Sequence, residues 1–190
     1  RKNRPFHTSI LPMNEDDVAA HLKMLLDKMG SRCREAVVAI PAFLIFTTVA
    51  ESADTARIPA ALGTFNLDAI DIGQGEFFLT AVPKDVIEKY GRILGELGIE
   101  SARWESESII LARSFGNSPE PALLVNLDER STTFMVAQNA KPVFVEQTDF
   151  SLASDNPDAR DVILNKVRNI ITERKIKNVR WITEKNFLSF

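Results

Sequence analysis

Three consecutive hydroxyl residues, Ser131, Thr132 and Thr133, follow a short polar turn inside the stretch Ala122 to Val145, which otherwise reads as apolar strands. Hydroxyls and free amides in a tight turn can cradle a phosphate, because the converging N–H groups form an anion-binding concavity. Serine and threonine are equally ordinary turn and strand residues, so the same triplet also reads as structure alone. A second glycine-bearing candidate, Asp71-Ile-Gly-Gln-Gly75, has no threonine or lysine after it and reads as a turn. There is no Walker pattern, no dinucleotide fingerprint and no Gly-x-Ser-x-Gly elbow.

The remaining polar clusters have structural explanations. Glu15-Asp16-Asp17 and Glu105 to Glu107 sit where helices begin, where acids are stabilised by the helix dipole. Arg174 to Arg180 alternates basic residues with Ile176 and Val179, as at a helix end that enters an exposed strand edge protected by charge. His7, His21 and Cys33 are isolated from one another, so no metal-ligand set is formed. With one cysteine an internal disulfide is excluded, and a reducing compartment fits.

The elements that must position these residues alternate between helix and strand. A helix is expected from Asn14 to Gly30, with Val18, Leu22, Leu25, Leu26 and Met29 at helical spacing. Glu35 to Ile40 and Phe43 to Val49 read as two strands, or one bent strand, punctuated by Pro41. Ile58 to Leu62 suggests a helical turn and Phe65 to Ile72 a strand, followed by a clear strand over Phe77 to Val82. Pro83 starts a helix that Gly98 ends; Ile99 to Trp104 is a strand, and the run from Ser106 is a helix ending at Gly116. After the hydroxyl-bearing hairpin come a loop over 151–158, a helix through Val162, Val167 and Ile171, and a last strand over Asn178 to Thr183. This rhythm predicts an α/β fold with helices packed on a sheet.

Bulk composition bounds the function. The 190 residues suffice for one domain or two small ones with a proper core. Hydrophobic residues at 45%, charged residues at 26% and a net charge of -3 describe a globular chain without the field that nucleic acid or anionic lipid would require. No apolar run reaches the ~18 to 20 residues of a membrane span, so no membrane insertion by this segment is expected. The start on Arg-Lys-Asn-Arg and the ending Phe-Leu-Ser-Phe suggest a piece of a longer protein.

The run Val37-Val-Ala-Ile-Pro-Ala-Phe-Leu-Ile-Phe-Thr-Thr-Val49 resembles a segment of the type IV pilus assembly PilM family, whose fold is that of FtsA and actin. The strand Phe77-Phe-Leu-Thr-Ala-Val-Pro, the helix ending Leu94-Gly-Glu-Leu-Gly-Ile-Glu, and Ser106-Glu-Ser-Ile-Ile-Leu-Ala-Arg113 take the places of the family's next elements. The resemblance implies a partial actin-like, ribonuclease-H-like α/β core over 83–190 and a small inserted α+β subdomain over 1–82. It also puts the hydroxyl hairpin in the place of the second phosphate loop. Where that loop has Asp-x-Gly-x-x-Thr-Thr, this chain has Asn126, Leu127 and Asp128, then Ser131, Thr132 and Thr133. Asn126 lacks the carboxylate that would hold metal and water, and Asp128 brings negative charge where backbone would approach phosphate. Ser131 and Thr132 are left as the remnant of a cofactor-binding turn. The family's Gly-Gly pair after the last strand is replaced by Glu184-Lys185, its first phosphate motif is not in the chain, and 150–161 is too short for a nucleotide-covering subdomain.

The resemblance therefore implies a non-catalytic scaffold with no resident cofactor, cytoplasmic and peripheral to an inner membrane, in a type IV pilus or related secretion platform. Its partner would be the cytoplasmic segment of a PilN-like membrane protein, met by Phe43, Ile45, Thr47 and Val49 through strand addition or apolar anchors. The cytoplasmic part of the secretion protein GspL is a related version, and a homo-oligomer is left open. The alternative is an actin-like ATPase, binding ATP with magnesium, whose first phosphate motif lies outside this chain.

Overall fold

The computed structural model describes residues 18–29, 34–52, 57–128, 131–151 and 158–183. Asn14, Gly30, Cys33, most of the loop expected at 151–158, and Glu184-Lys185 lie outside the described residues. The elements are α1 (Val18–Met29), β1 (Glu35–Ile40), β2 (Phe46–Ala50), β3 (Phe65–Gly73), β4 (Glu76–Pro83), α2 (Lys84–Glu96), β5 (Ser101–Ser106), α3 (Glu107–Phe115), β6 (Ala122–Leu127), β7 (Thr132–Gln138), β8 (Lys141–Thr148), α4 (Ala159–Arg174) and β9 (Asn178–Thr183). The predicted α/β class is the observed one. The strand expected from Phe43 starts instead at Phe46, because the chain leaves Pro41 as a 3-10 turn over Ala42–Leu44. That turn is closed by the Leu44 amide on the Pro41 carbonyl at 3.1 Å.

The chain divides into two compact units whose boundaries fall within β1, α2 and β5. In the first (Arg1–Ala36 with Glu88–Arg103), α2 buries Leu94 and ends at Gly98, whose φ is 76°. The Ile99 amide reaches back to the Leu94 carbonyl at 3.0 Å, a six-to-one closure that needs the left-handed residue glycine supplies. Arg34 and Glu100 pair at 3.7 Å with both side chains largely exposed, and such pairs add little stability.

The second unit (Val37–Ile87 with Trp104–Phe190) contains two sheets. In the three-stranded sheet β2-β4-β3, all antiparallel, β4 is central and buried from Phe78 to Val82. The β3–β4 turn is the Asp71-to-Gly75 stretch, with Gly73, Gln74 and Gly75 all at positive φ and the Gly73 amide on Asp71 Oδ1 at 2.7 Å. It is a hairpin turn, as the sequence suggested.

The four-stranded sheet has the order β8-β7-β6-β9. Strands β6, β7 and β8 form an antiparallel meander; β9 returns through α4 and pairs with β6 in parallel, Ala122 opposite Asn178 and Leu127 opposite Thr183. A parallel partner cannot be reached by a tight turn, and α4 supplies the crossover. Period-two alternation divides the strands between two cores. Leu123, Val125, Leu127, Phe134 and Val136 pack with Ile163, Val167 and Ile170 of α4, while Leu124, Met135 and Ala137 pack with Ala112 of α3. The sheet is thus a middle layer between two helices, buried on both faces, which is why β6 and β7 read as nearly unbroken apolar runs.

Candidate functional site

The hydroxyl residues sit where β6 hands over to β7. Asn126 faces Thr133 across the hairpin and Leu127 faces Thr132, so pairing alternates the side chains between the two helical layers. Asn126 and Thr133 share the face that carries Leu124 and Met135 against α3, while Thr132 shares the face of Leu127 and Phe134 against α4. The triplet therefore does not present its hydroxyls together.

Some of these groups are committed to the protein's own atoms. Thr132 is 0% exposed and its hydroxyl donates to the Phe150 carbonyl at 2.7 Å. Ser131 is 3% exposed, and its carbonyl accepts the Asp128 amide at 3.0 Å. That bond takes inward one of the N–H groups that a phosphate turn would point at its ligand. Among the described residues Thr133 has no side-chain hydrogen bond, and it is 6% exposed.

Asn126 leads to a residue that the sequence did not single out. Its Nδ2 donates to Glu107 Oε1 at 3.2 Å, and the other carboxylate oxygen, Oε2, accepts the Ala42 amide at 3.3 Å. Glu107 is the first residue of α3, held there by Ser106, whose hydroxyl caps the Ile109 amide at 3.3 Å. One carboxylate thus joins three segments: the 3-10 turn after β1, the start of α3 and the end of β6. Burial pushes the Glu107 carboxyl above its ordinary 4.5; the Ala42 amide opposes that rise, Asp128 adds to it, and the Asn126 amide opposes it again. The net direction is upward because desolvation of the charge outweighs two hydrogen bonds. The helix-start reading of Glu105 to Glu107 is right for position and incomplete for role. The available signal was Asn126 itself, an amide in an apolar strand that had to find a partner.

The predicted partner-binding residues are spread over neighbouring elements. Phe43 lies in the 3-10 turn and is 36% exposed, whereas Ile45 is 8% exposed and packs with Ile40 and Val82. Thr47 and Val49 are half-buried on β2, opposite Thr80 and Phe78 of β4. Among the described residues no set of His, Cys, Asp and Glu is arranged to hold a metal ion, and no helix is long and apolar enough to cross a membrane.

No protein-family model matches the chain, and no curated protein matches its sequence. Solved structures do match. A chain of the PilM-PilN type IV pilus biogenesis complex aligns over 90% of this chain and 65% of its own length, with 14% identity and a TM-score of 0.54. The cytoplasmic domain of EpsL, an inner membrane component of the type II secretion system of Vibrio cholerae, aligns over 86% and 67%, with 12% identity and a TM-score of 0.55. A Bacteroides thetaiotaomicron protein with an actin-like ATPase fold aligns over 90% and 68%, with 8% identity and a TM-score of 0.51. The fold is actin-like.

The chain spans about two thirds of the length of these structures. The meander-plus-parallel-strand sheet β8-β7-β6-β9 lies within the stretch 83–190 for which the sequence suggested the α/β core. One of the matched structures comes from a type IV pilus biogenesis complex and another from an inner membrane component of a type II secretion system.

Proposed function

We propose that this chain is a non-catalytic actin-like scaffold of a type IV pilus or related secretion platform, cytoplasmic and peripheral to the inner membrane. It would bind the cytoplasmic segment of a PilN-like membrane protein. The observation that carries the non-catalytic half is that three groups of the β6–β7 turn are already engaged within the protein: the Asn126 amide on Glu107, the Thr132 hydroxyl on Phe150 and the Asp128 amide on Ser131. A nucleotide phosphate would have to break these bonds and approach both Asp128 and the buried Glu107, so the residues present do not fit ATP with magnesium. The PilM-PilN and EpsL structures support the scaffold half by fold.

The partner surface in this reading is Phe43 with Thr47 and Val49, while Ile45 is buried with Ile40 and Val82. Phe43 offers an exposed aromatic anchor of the type that carries binding energy. Calorimetry tests both halves. A synthetic peptide copying the cytoplasmic segment of the PilN-like protein should bind, and Phe43→Ala should weaken it about tenfold or more, on the order of 1.4 kcal/mol. ATP with magnesium should give no saturable heat. Micromolar ATP affinity would instead establish the alternative, an actin-like ATPase completed by segments outside this chain.

A further inference from the structure

Strand β3 is an outer strand of the sheet β2-β4-β3, and its residues Asn66, Leu67, Asp68 and Ala69 are exposed in succession. Successive strand residues point to opposite faces, so this stretch is exposed on both. Antiparallel partners exchange hydrogen bonds in alternate pairs, so every second residue of β3 turns its amide and carbonyl away from β4. Two bonds identify these residues. Lys141 Nζ donates to the Asp71 carbonyl at 2.6 Å, and the Ala69 amide donates to the neighbouring Asp68 Oδ1 at 3.0 Å. Leu67, Ala69 and Asp71 are therefore the outward set.

Inside the sheet, one hydroxyl lacks a partner. Thr80 on β4 is 3% exposed, its Oγ1 is buried without a hydrogen bond, and it stands directly opposite Asp68. Side chains opposite each other share a face with Cβ atoms about 5 Å apart, so the Asp68 carboxylate can reach the Thr80 hydroxyl. It is engaged instead on the Ala69 amide. We propose that β3 is a docking edge for an extended basic segment of a partner protein, and that Asp68 changes its hydrogen-bond partner when the segment adds as a fourth strand. A carbonyl of the segment takes the Ala69 amide, and the freed carboxylate accepts from Thr80. An exposed bond is replaced, and a buried hydroxyl gains its missing acceptor. Charge selects the segment: Asp68, Asp71 and Glu76 are exposed on β3 and at the start of β4, and Lys141 is held at the Asp71 end. Leu67, 39% exposed, offers an apolar contact beside them. Strand β2 is the opposite edge of this sheet, so the inference does not depend on the surface around Phe43.

The probe is a capped peptide of about seven residues alternating lysine and valine, titrated into the isotope-labelled chain and followed by NMR. The Leu67 and Ala69 amides should shift with a Kd on the order of 0.1 mM, and a peptide alternating glutamate and valine should shift neither. Thr80→Val replaces the unpartnered hydroxyl with a methyl group. It should raise Tm by about 2 to 4 °C and yet weaken the lysine peptide about three- to tenfold, whereas a purely structural role would leave the affinity unmoved. Asp68→Ala, at an exposed position, should weaken the peptide about tenfold and carries the test if Thr80→Val fails to fold. Phe43→Ala should leave this Kd unchanged, which keeps failure here distinct from failure at the other edge. Parental affinity in Thr80→Val or Asp68→Ala, shifts centred on β2, equal binding of the glutamate peptide, or no binding below about 1 mM would each overturn the proposal. So would a dimer in solution with its β3 amides already protected, since the occupant would then be a second copy of the chain.

Discussion

The status of the hydroxyl triplet is decided by removing one hydroxyl at a time without changing shape. Thr132→Val deletes the donor to the Phe150 carbonyl, a 2.7 Å bond from a side chain that is 0% exposed. A typical intramolecular hydrogen bond contributes about 1 kcal/mol net, and an acceptor left without a partner adds up to about 2 more. The added methyl group returns part of that, so the expected loss is about 1 to 2 kcal/mol. Thr133→Val is the matched control, since Thr133 has no side-chain hydrogen bond among the described residues and lies on the opposite face of the sheet. It should be neutral within about 0.5 kcal/mol. Urea unfolding with an unchanged slope gives both values. If the two variants behave alike, or if Thr132→Val costs less than about 0.3 kcal/mol, the hydroxyl is not tying β7 to Phe150. A role in ligand binding would then be the better explanation of a hydroxyl at the turn's end.

Three further outcomes follow from the geometry. Asn126→Asp should destabilise by about 2 to 4 kcal/mol at pH 7, since a charge-assisted bond becomes two facing carboxylates sharing a proton; urea melts should show a smaller loss at pH 5 than at pH 8. Because the folded Glu107 carboxyl titrates above its ordinary 4.5, the native state holds more protons than the unfolded chain in the window just above that value. Its contribution is therefore complete below 4.5 and is lost as pH rises through the folded value, and the stability difference between the parent and Glu107→Gln should slope downward with pH across that window. Ala140 sits at φ 58° beside Asn139 at φ 51° in the β7–β8 turn, so Ala140→Gly should stabilise by about 0.5 kcal/mol, measured as a rise in Tm.

What could be read from the sequence was set by range. Helix α3 was legible because its signals are adjacent: Ser106 caps it, and Gly116, at φ 92°, ends it. The β6–β7 hairpin was legible because two apolar runs flank one polar turn. The start of β2 was misplaced by three residues because the 3-10 turn after Pro41 has the same apolar composition as a strand. The pairing of β1 with β5 joins Glu35–Ile40 to Ser101–Ser106, and nothing in either segment specifies a partner so distant.

The site was hardest to read, for a related reason. In the sequence, Asn126 registers only as a missing carboxylate and Glu107 only as an acid at a helix start. The structure joins the two observations: the carboxylate enters from α3, and the strand supplies the amide that receives it. An amide facing a carboxylate can form a hydrogen bond at neutral pH, whereas two carboxylates at 3.2 Å could not both stay ionised. Asn126 is thus a condition for having Glu107 at this position, and the departure from the Asp pattern gains a physical cause. Restoring aspartate alone would break this contact without building a phosphate site, because Asp128 and Glu107 would still present negative charge to any anion entering the turn.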